Sequence, residues 1–535
     1  MTEHTASRWE LYRPADVEVT RGWELTTLVE PSRLFGSNGI RWAPDGTLWI
    51  TEFNGEHISR WDPETNELSL GSPMDPAIKG PDDIAFDARG GFYVTETLNG
   101  RVTGRRADGR AVVVLDDSPG ANGITVDPRT DELYVDEMRE GGRVLRLDKS
   151  GNGDHTVLAD GLEWCNAMEM SPHGELFFPQ VFAGTVLALD PDTGALRTAA
   201  TGLSVPTAVK FDGRGRLVVS EAGAGVITAI DLTDGTRTTL AESGIGIDNF
   251  CYDPQGRLYV SNFCEARVER YDTSGRVTAR VSAGGLMGPY QVCADSDGRL
   301  YAADANTLVA LSDDGMDRLT RLLIDQSFVA VGVASVGDAL LVLSLAGDVY
   351  ARDGLGAMHT VLSSSDDATT QILSTALAGA TAISGDGRTG LIALSDGGDL
   401  VEIGPDLTLG RRRRSGLANV SAVAIGDGRL AACDQGSGRV VVLDGDAGYQ
   451  LDGFDAPRAL ALADGAVYVV ELGQRRLVRV DPVSGARETV CSGLPVGMPV
   501  EGVEHERRCS LTVLPDRSLV IGCDGDGGVR RLARV

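Results

Sequence analysis

The stretch Asn38-Gly39-Ile40-Arg41-Trp42-Ala43-Pro44-Asp45-Gly46-Thr47-Leu48-Trp49-Ile50-Thr51-Glu52 is the first of twelve similar phrases, spaced about forty residues apart along the 535-residue chain. Each phrase combines an alternating strand pattern, a turn of the Asp-Gly type and a second strand rich in aromatic or β-branched residues. Self-similarity at this period is typical of a β-propeller, in which each repeat forms one four-stranded blade. The sequence therefore predicts an all-β protein of twelve four-stranded blades.

The number of strands decides how twelve blades close into rings. The last repeat has three strands, and two further strands, 23–30 and 276–281, belong to no repeat. We expect the first to complete the sixth blade and the second the twelfth, because closure pairs exposed strand edges. In the alternative, interdigitated arrangement the N-terminal strand closes the twelfth blade and the rings share blades. The prediction is two tandem six-bladed β-propellers: an N-terminal extension at 1–22, one propeller at 23–274 and a second at 275–535.

Composition narrows the class of partner. The 77 acidic residues outnumber 49 Lys and Arg, a net charge of −28 that makes nucleic acid an unlikely partner. The basic run Arg411–Arg414 is expected to be an exposed loop. We find no apolar run able to span a membrane and no apolar stretch behind a basic start. Eight scattered cysteines without a CxxC pair are expected to be buried reduced thiols, which favours a cytoplasmic location.

An oxygen-bearing side chain opens each of the first six repeats. Because the innermost strands of all blades start at the same face, these side chains should surround one channel mouth. The equivalent positions of repeats seven to twelve carry no carboxylate or carboxamide, so chemistry is expected in the first ring. The first set is Asn38, Asp82, Asn122, Asn166, Thr207 and Asp248, and the second is Tyr290, Val329, Thr381, Ser421, Arg458 and Cys509.

Hard oxygens converging on one axis favour Ca²⁺ or Mg²⁺, and the absence of His and Cys from the first set argues against zinc. Carboxamide oxygens bind such a cation without adding charge. The alternative is that these Asn and Asp side chains only satisfy backbone groups at strand starts.

A second patterned position lies at the end of each second strand. Carboxylates grouped around one mouth repel each other unless a cation or a shared proton relieves them. Glu52, Glu137 and Glu221 are therefore candidate general acids or bases. The alternative is that they pair with loop arginines such as Arg101 and Arg143. His57 lies near this face by register, where a surface position is favoured over a catalytic one. The full set is Glu52, Glu96, Glu137, Gln180, Glu221 and Asn262.

The wording of Trp49–Glu52 and Gly100–Val102 resembles the SMP-30/gluconolactonase/luciferin-regenerating-enzyme superfamily over about residues 30–310, and is also similar to streptogramin lyases and NHL-type propellers. The resemblance implies one divalent cation in the channel, held by a Glu, two Asn and an Asp, and hydrolysis of lactones or related esters. By register Asn122 and Asn166 match the two Asn. Asn38 stands where that superfamily has Glu, and Thr207 stands where it has Asp. The implied metal ligands are Asn38, Asn122, Asn166 and Asp248.

Three functions follow from these residues. The leading hypothesis is a divalent-metal-dependent hydrolase of a small lactone or ester, in which the cation polarises the carbonyl and Asp248 or Asp82 activates water. The second is a lyase, isomerase or cyclase acting on a small metabolite through Glu52, Glu137 or Glu221, without metal or assisted by Mg²⁺. The third is a non-catalytic binding propeller. The second ring is expected to be structural or partner-binding.

Overall fold

The computed structural model describes residues 16–71, 78–304, 306–312, 315–320, 330–352, 358–362, 379–395, 397–497 and 509–535. Over these residues the chain forms twelve antiparallel sheets and no helix, so it contains no helix that could cross a membrane. Eleven sheets have four strands, and the eleventh in chain order adds the short strand Glu18–Val19 as a fifth. The all-β class and the twelve four-stranded repeats are confirmed.

The first compact unit, residues 33–283, contains sheets 1 to 6, each built from four consecutive strands. Sheets 1 to 3 are Ser37–Trp42, Leu48–Glu52, His57–Asp62 and Glu67–Leu70; Ile84–Phe86, Phe92–Glu96, Arg101–Arg105 and Ala111–Leu115; Ala121–Val126, Leu133–Glu137, Glu140–Leu147 and His155–Glu163. Sheets 4 to 6 are Glu169–Met170, Leu176–Gln180, Thr185–Leu189 and Leu196–Ala200; Pro206–Phe211, Leu217–Glu221, Val226–Ile230 and Arg237–Glu242; Ile247–Tyr252, Leu258–Asn262, Arg267–Tyr271 and Val277–Ser282.

The turns and the core of this unit follow from the repeated phrase. In sheet 1 the Asp45 carboxylate accepts a hydrogen bond from the Thr47 backbone N–H at 3.0 Å, and Gly46 has a φ of 83°, so the Asp-Gly pair forms the turn. The buried apolar side chains pack between neighbouring sheets, as Trp49 of sheet 1 does against Phe92 of sheet 2. A single blade cannot bury its two faces alone, so the blades stabilise one another.

The first strands of sheets 1 to 6 contact one another in a closed cycle, which sheet 6 completes against sheet 1. The Ser261 hydroxyl donates to the backbone carbonyl of Asn38 at 2.6 Å, and the Ser37 hydroxyl lies 3.4 Å from the carbonyl of Asn262. This ring, called the first ring below, therefore closes through packing and side-chain hydrogen bonds and exchanges no strand between repeats.

The second compact unit, called the second ring, comprises residues 16–32, 284–499 and 503–535 and contains sheets 7 to 12. The first strands of these sheets also contact one another in a closed cycle. Sheets 7 to 9 are Pro289–Ala294, Leu300–Asp304, Thr307–Ser312 and Gly315–Thr320; Ala330–Val336, Ala339–Ser344, Val349–Arg352 and Met358–Leu362; Ala380–Gly385, Gly390–Leu394, Asp399–Ile403 and Leu409–Arg414. Sheets 10 to 12 are Ala422–Gly426, Arg429–Asp434, Arg439–Asp444 and Ala447–Leu451; Pro457–Ala463, Ala466–Glu471, Arg476–Val480 and Arg487–Ser492; Ser510–Val513, Leu519–Gly522, Val529–Arg534 and Trp23–Val29.

The predicted use of the two unassigned strands is wrong. Trp23–Val29 pairs with Val529–Arg534 and is the outer strand of sheet 12, not of sheet 6. The second strand, Val277–Ser282, is simply the fourth strand of sheet 6. Sheet 6 already has four strands from its own repeat. The N-terminal strand therefore covers the exposed edge of the twelfth repeat, which has only three. The interdigitated alternative is right about this strand, although no described sheet is shared between the two units.

The domain limits shift for the same reason. The first ring spans 33–283 instead of 23–274, since residue 274 lies in the turn before the last strand of sheet 6. The first ring is thus one continuous segment, inserted between the outer strand of sheet 12 and the start of sheet 7.

Two smaller expectations, on the basic run and on the cysteines, also have outcomes. Arg411–Arg414 belongs to an outer strand and not to a loop, and Arg412 pairs with Asp399 at 2.6 Å. All eight cysteines are free and buried, as expected. Val329 lies outside the described residues.

Candidate functional site

The side chains that open the first six repeats lie at one mouth of the first ring. Asn38 donates from Nδ2 to the Asp82 carboxylate at 3.2 Å. Opposite them, the Met138 sulfur lies 3.5 Å from Asn122 Nδ2 and 3.6 Å from Asn166 Nδ2. The charge of Asp82 also acts on the Asp248 carboxyl across the mouth. We call this set of six the polar ring: Asn38, Asp82, Asn122, Asn166, Thr207 and Asp248.

A shared backbone conformation brings each chain segment into the polar ring. The residue two positions before each member has a left-handed φ between 50° and 88°. Glycine, which adopts this region without strain, occupies four of the six positions. The six residues are Gly36, Gly80, Gly120, Trp164, Val205 and Gly246.

Hydroxyl side chains one residue before the ends of the second strands hold the polar ring in place. Each donates to the backbone carbonyl of the ring member in the next repeat. Ser261 bonds the Asn38 carbonyl at 2.6 Å, and Ser220 bonds the Asp248 carbonyl at 3.2 Å. Thr51 and Thr95 make the same bond to Asp82 and Asn122. These bonds tie neighbouring sheets together at the mouth and preorganise the ring side chains.

Asp136 takes the hydroxyl's place in sheet 3, and our sequence analysis missed it. It is fully buried; its Oδ1 accepts from the Gly123 N–H at 2.9 Å, while its Oδ2 has no hydrogen-bond partner among the described residues. Burial, reinforced by the charges of nearby carboxylates, raises its pKa well above the ordinary value. The equivalent positions hold Ser or Thr in sheets 1, 2, 5 and 6 and Pro179 in sheet 4, so aligning them would have identified Asp136 as the one carboxylate.

The polar ring carries two carboxylates in an environment that disfavours their charge. Burial, followed by the charge of Asp83, raises the pKa of Asp82 to about 7. Burial and the charges of Asp82 and Asp83 raise the pKa of Asp248 well above its ordinary value. Neighbouring carboxylates in this condition are stabilised in their charged form by a bound cation.

The donor set fits a hard divalent cation. Asn122 Oδ1 is buried and accepts no hydrogen bond within the described part of the chain, so it is an oxygen available to a ligand. Asn166 Oδ1 already accepts from the Ala167 N–H at 2.6 Å. The described residues form no cluster of three or more His, Cys, Asp or Glu suited to a metal. Carboxamide oxygens are therefore needed beside Asp82 and Asp248, as Ca²⁺ sites commonly use.

A second layer of charge lies three residues further along the first strands and was also missed. Arg41 pairs with Glu169 at 2.8 Å, and Lys210 lies 3.5 Å from the same carboxylate. Burial works against the charge of Glu169, but Arg41 and Lys210 outweigh it and lower its pKa. Burial and the charge of Arg41 lower the pKa of Lys210. These side chains form an ion cluster in the channel interior, and the forty-residue register would have placed them together.

The ion cluster adjoins a cavity at the opposite mouth of the first ring. The cavity has a volume of about 510 Å³, and Arg41 and Glu169 line it together with the aromatic rings of Trp42 and Phe86. Neither Asp82 nor Asp248 lines it, so this cavity is separate from the polar ring.

The glutamates at the ends of the second strands have structural partners. Glu52 is fully buried, accepts from the Phe35 N–H at 2.6 Å and from the Ser59 hydroxyl, and lies 3.3 Å from His57. His57 is itself buried, contrary to our expectation of a surface position. Glu221 accepts from the Ser204 N–H at 2.9 Å. Both carboxylates therefore anchor the loops beside the mouth.

Arginines hold the remaining two glutamates of this set. Arg101 lies 2.7 Å from Glu96, and both Arg139 and Arg143 contact Glu137. Burial tends to raise the pKa of Glu137, but the hydrogen bonds from the two arginines outweigh it and lower the pKa. These contacts match the structural alternative for Glu52, Glu96, Glu137 and Glu221.

Comparison with known proteins returned no matching family model and no matching curated protein. Among solved structures, a gluconolactonase from Xanthomonas campestris is 20% identical with a TM-score of 0.37, over 47% of this chain and 94% of that one. A structural-genomics target provisionally described as a gluconolactonase is 13% identical with a TM-score of 0.36, over 46% and 91%. A chain of the nidogen–laminin complex is 19% identical with a TM-score of 0.34, and the match covers 42% of this chain and 91% of that one.

Proposed function

We propose that the first ring is a divalent-cation-dependent hydrolase of a small lactone or ester. One observation carries the proposal: two carboxylates whose pKa values are raised lie in the same polar ring as a buried carboxamide oxygen that has no partner in the described chain. Asp82, Asp248, Asn38 and Asn122 would hold the cation, with Asn166 beside them. Compared with the ligands that the sequence suggests, Asp82 is added.

The roles of the two carboxylates differ by their contacts. Asp82 accepts a hydrogen bond from Asn38 Nδ2 at 3.2 Å, whereas no hydrogen bond is described for the Asp248 carboxylate. Asp248 is therefore the better general base. A bound Ca²⁺ or Mg²⁺ supplies a Lewis acid that polarises the carbonyl of the substrate.

The reaction is the addition of water across the acyl C–O bond. Asp248 takes a proton from water while the water oxygen bonds to the carbonyl carbon. The bond from that carbon to the ring or ester oxygen then breaks, and Asp248 returns the proton to the departing oxygen. A lactone gives one hydroxy acid, and an ester gives an acid and an alcohol.

Chelation tests this function. We expect the protein to hydrolyse members of a panel of γ-lactones, δ-lactones and p-nitrophenyl esters, and dialysis against EDTA to lower kcat/KM at least about a hundredfold, since the cation stabilises the charge that develops on the carbonyl oxygen. Adding Ca²⁺ or Mg²⁺ should restore the rate. Turnover that survives EDTA would point to metal-free chemistry, and cation binding without turnover of any substrate would leave a binding protein.

A further inference from the structure

Apolar side chains surround the mouth that holds the polar ring. In sheets 1, 3 and 4, the loop that follows the second strand is hydrogen-bonded to the segment that leads into the ring. The Phe53 N–H donates to the Gly36 carbonyl at 3.1 Å, the Met138 N–H to Gly120 at 2.7 Å, and the Val181 N–H to Trp164 at 3.0 Å. We call the following side chains the apolar rim: Phe53, Leu98, Met138, Trp164 and Phe182.

Three members of the apolar rim are unusually exposed for their size. Leu98 is 54%, Trp164 38% and Phe182 59% accessible to solvent. Trp164 and Phe182 contact each other edge to face, with ring centroids 5.3 Å apart. Clustered exposed aromatic side chains beside a polar site are typical of ligand-binding surfaces.

The apolar rim contacts the polar ring through Met138. Met138 touches the carboxamides of Asn122 and Asn166 through its sulfur. Trp164 precedes Asn166 by two residues. Leu98 follows Thr97, whose hydroxyl donates to the Ala121 carbonyl at 2.6 Å and lies near the Asp82 carboxylate. A molecule whose carbonyl reaches the polar ring would therefore lay its remaining atoms against the rim.

Trp164 is held in a backbone conformation that favours glycine. Its φ is 50°, at the position where four of the six repeats have glycine. A left-handed conformation strains a residue with a bulky side chain. Val205 takes the same conformation in sheet 5 with a φ of 52°, so the strain belongs to the position, and what distinguishes Trp164 is its large, 38%-exposed side chain.

We infer that the substrate joins its lactone or ester carbonyl to an alkyl chain or aromatic ring, which packs on the apolar rim. This inference rests on the proposed function, since it assigns the substrate class of the same site. A polyol lactone fits poorly, because its hydroxyls would lose hydrogen bonds to water against these side chains.

A homologous series of lactones tests the inference. From γ-butyrolactone to γ-decalactone, kcat/KM should rise about threefold for each added methylene over the first few, the size expected when each packs on apolar surface. Glucono-δ-lactone should be at least about a hundredfold poorer than γ-decalactone, since the rim offers its hydroxyls no partners. In Trp164→Gly and Phe182→Ser, the ratio of kcat/KM for γ-decalactone to that for γ-butyrolactone should fall at least about tenfold.

The stability of Trp164→Gly, one control variant and a binding measurement distinguish the outcomes. Trp164→Gly relieves the strained backbone, so it should fold at least as stably as the natural chain. Leu196→Ser, which removes a 42%-exposed leucine from an outer strand of sheet 4, should leave the chain-length dependence unchanged. If no lactone is turned over, the proposed function fails, and calorimetric binding of the same lactones then tests the rim: tighter binding of γ-decalactone that Trp164→Gly removes upholds it. If binding or kcat/KM does not depend on chain length, the inference is wrong even in an active enzyme. It is also wrong if Phe182→Ser reduces self-association of the protein and changes nothing else.

Discussion

Replacing Asp248 with Asn is expected to lower kcat by about a thousandfold and Ca²⁺ affinity by at least about a hundredfold, because the amide keeps the shape but neither accepts the proton nor attracts the cation. Asp82→Asn should weaken Ca²⁺ binding to a similar degree. At saturating Ca²⁺ it should retain more turnover than Asp248→Asn, since we assign Asp82 to the cation and not to the proton. Calorimetric Ca²⁺ titration and steady-state kinetics measure the two effects separately.

Stability distinguishes these losses from misfolding. The pKa of Asp82 is about 7 in the folded ring and about 4 in an unfolded chain. Between these values the folded protein keeps a proton that the unfolded chain has released, so its stability falls as pH rises through that window. At pH 8 with EDTA, Asp82→Asn should therefore have a higher Tm than the natural chain.

The control Glu52→Gln should lower Tm, because it weakens the anchor of Phe35 and Ser59, and leave Ca²⁺ affinity unchanged. If Asp248→Asn binds Ca²⁺ as tightly as the natural chain does, the proposed cation site is wrong.

The second large effect concerns how the chain is divided. Residues 33–283 expressed alone should fold cooperatively and keep Ca²⁺ binding, since every strand of sheets 1 to 6 comes from within this segment. Residues 284–535 expressed alone should aggregate or remain unfolded, because sheet 12 then lacks its outer strand and exposes an edge. Circular dichroism and calorimetric melting of both fragments measure this difference.

Two controls make the division specific. Appending residues 16–32 to the C-terminal fragment through a flexible linker of about ten residues should restore folding. In the full chain, Trp23→Ala should destabilise the second ring by about 3 kcal/mol, since Trp23 is buried against Tyr468. A stable 284–535 fragment, or a 33–283 fragment that needs the N-terminal strand, would show that our account of closure is wrong.

Register is what the sequence predicts best in this protein. The repeated phrase places Asn38, Asp82 and Asp248 at equivalent positions, and closed packing of the first strands brings such positions together whatever the loops do. The same register contains Arg41, Glu169 and Lys210 three residues further on. Strict alternation puts positions three residues apart on opposite faces of a strand, and the register shifts between Ser37 and Ile40. The forty-residue alignment therefore groups these three residues, but predicting that they face the channel requires knowledge of this bulge.

The repeat pattern does not predict which sheet edge a strand pairs with or which groups a side chain contacts. An orphan strand fits any open sheet edge, so local sequence does not distinguish sheet 6 from sheet 12 for Trp23–Val29. Likewise, the spacing of Glu52 and Glu137 along the chain is the same whether they are catalytic carboxylates or loop anchors. Only their contacts with Phe35 and Arg143 identify them as loop anchors. Such contacts depend on loop conformations that have no periodic signal.

The most direct test of the polar ring is the position of a bound cation. Crystals of the protein soaked in Mn²⁺, a redox-stable stand-in for Ca²⁺ or Mg²⁺ with the same preference for oxygen ligands, would be measured by anomalous diffraction. We predict one strong anomalous peak about 2.1 to 2.6 Å from oxygens of Asp82, Asp248 and Asn122. Full-occupancy Mn²⁺ elsewhere in the first ring, or no peak at saturating Mn²⁺, would contradict a cation site at this mouth.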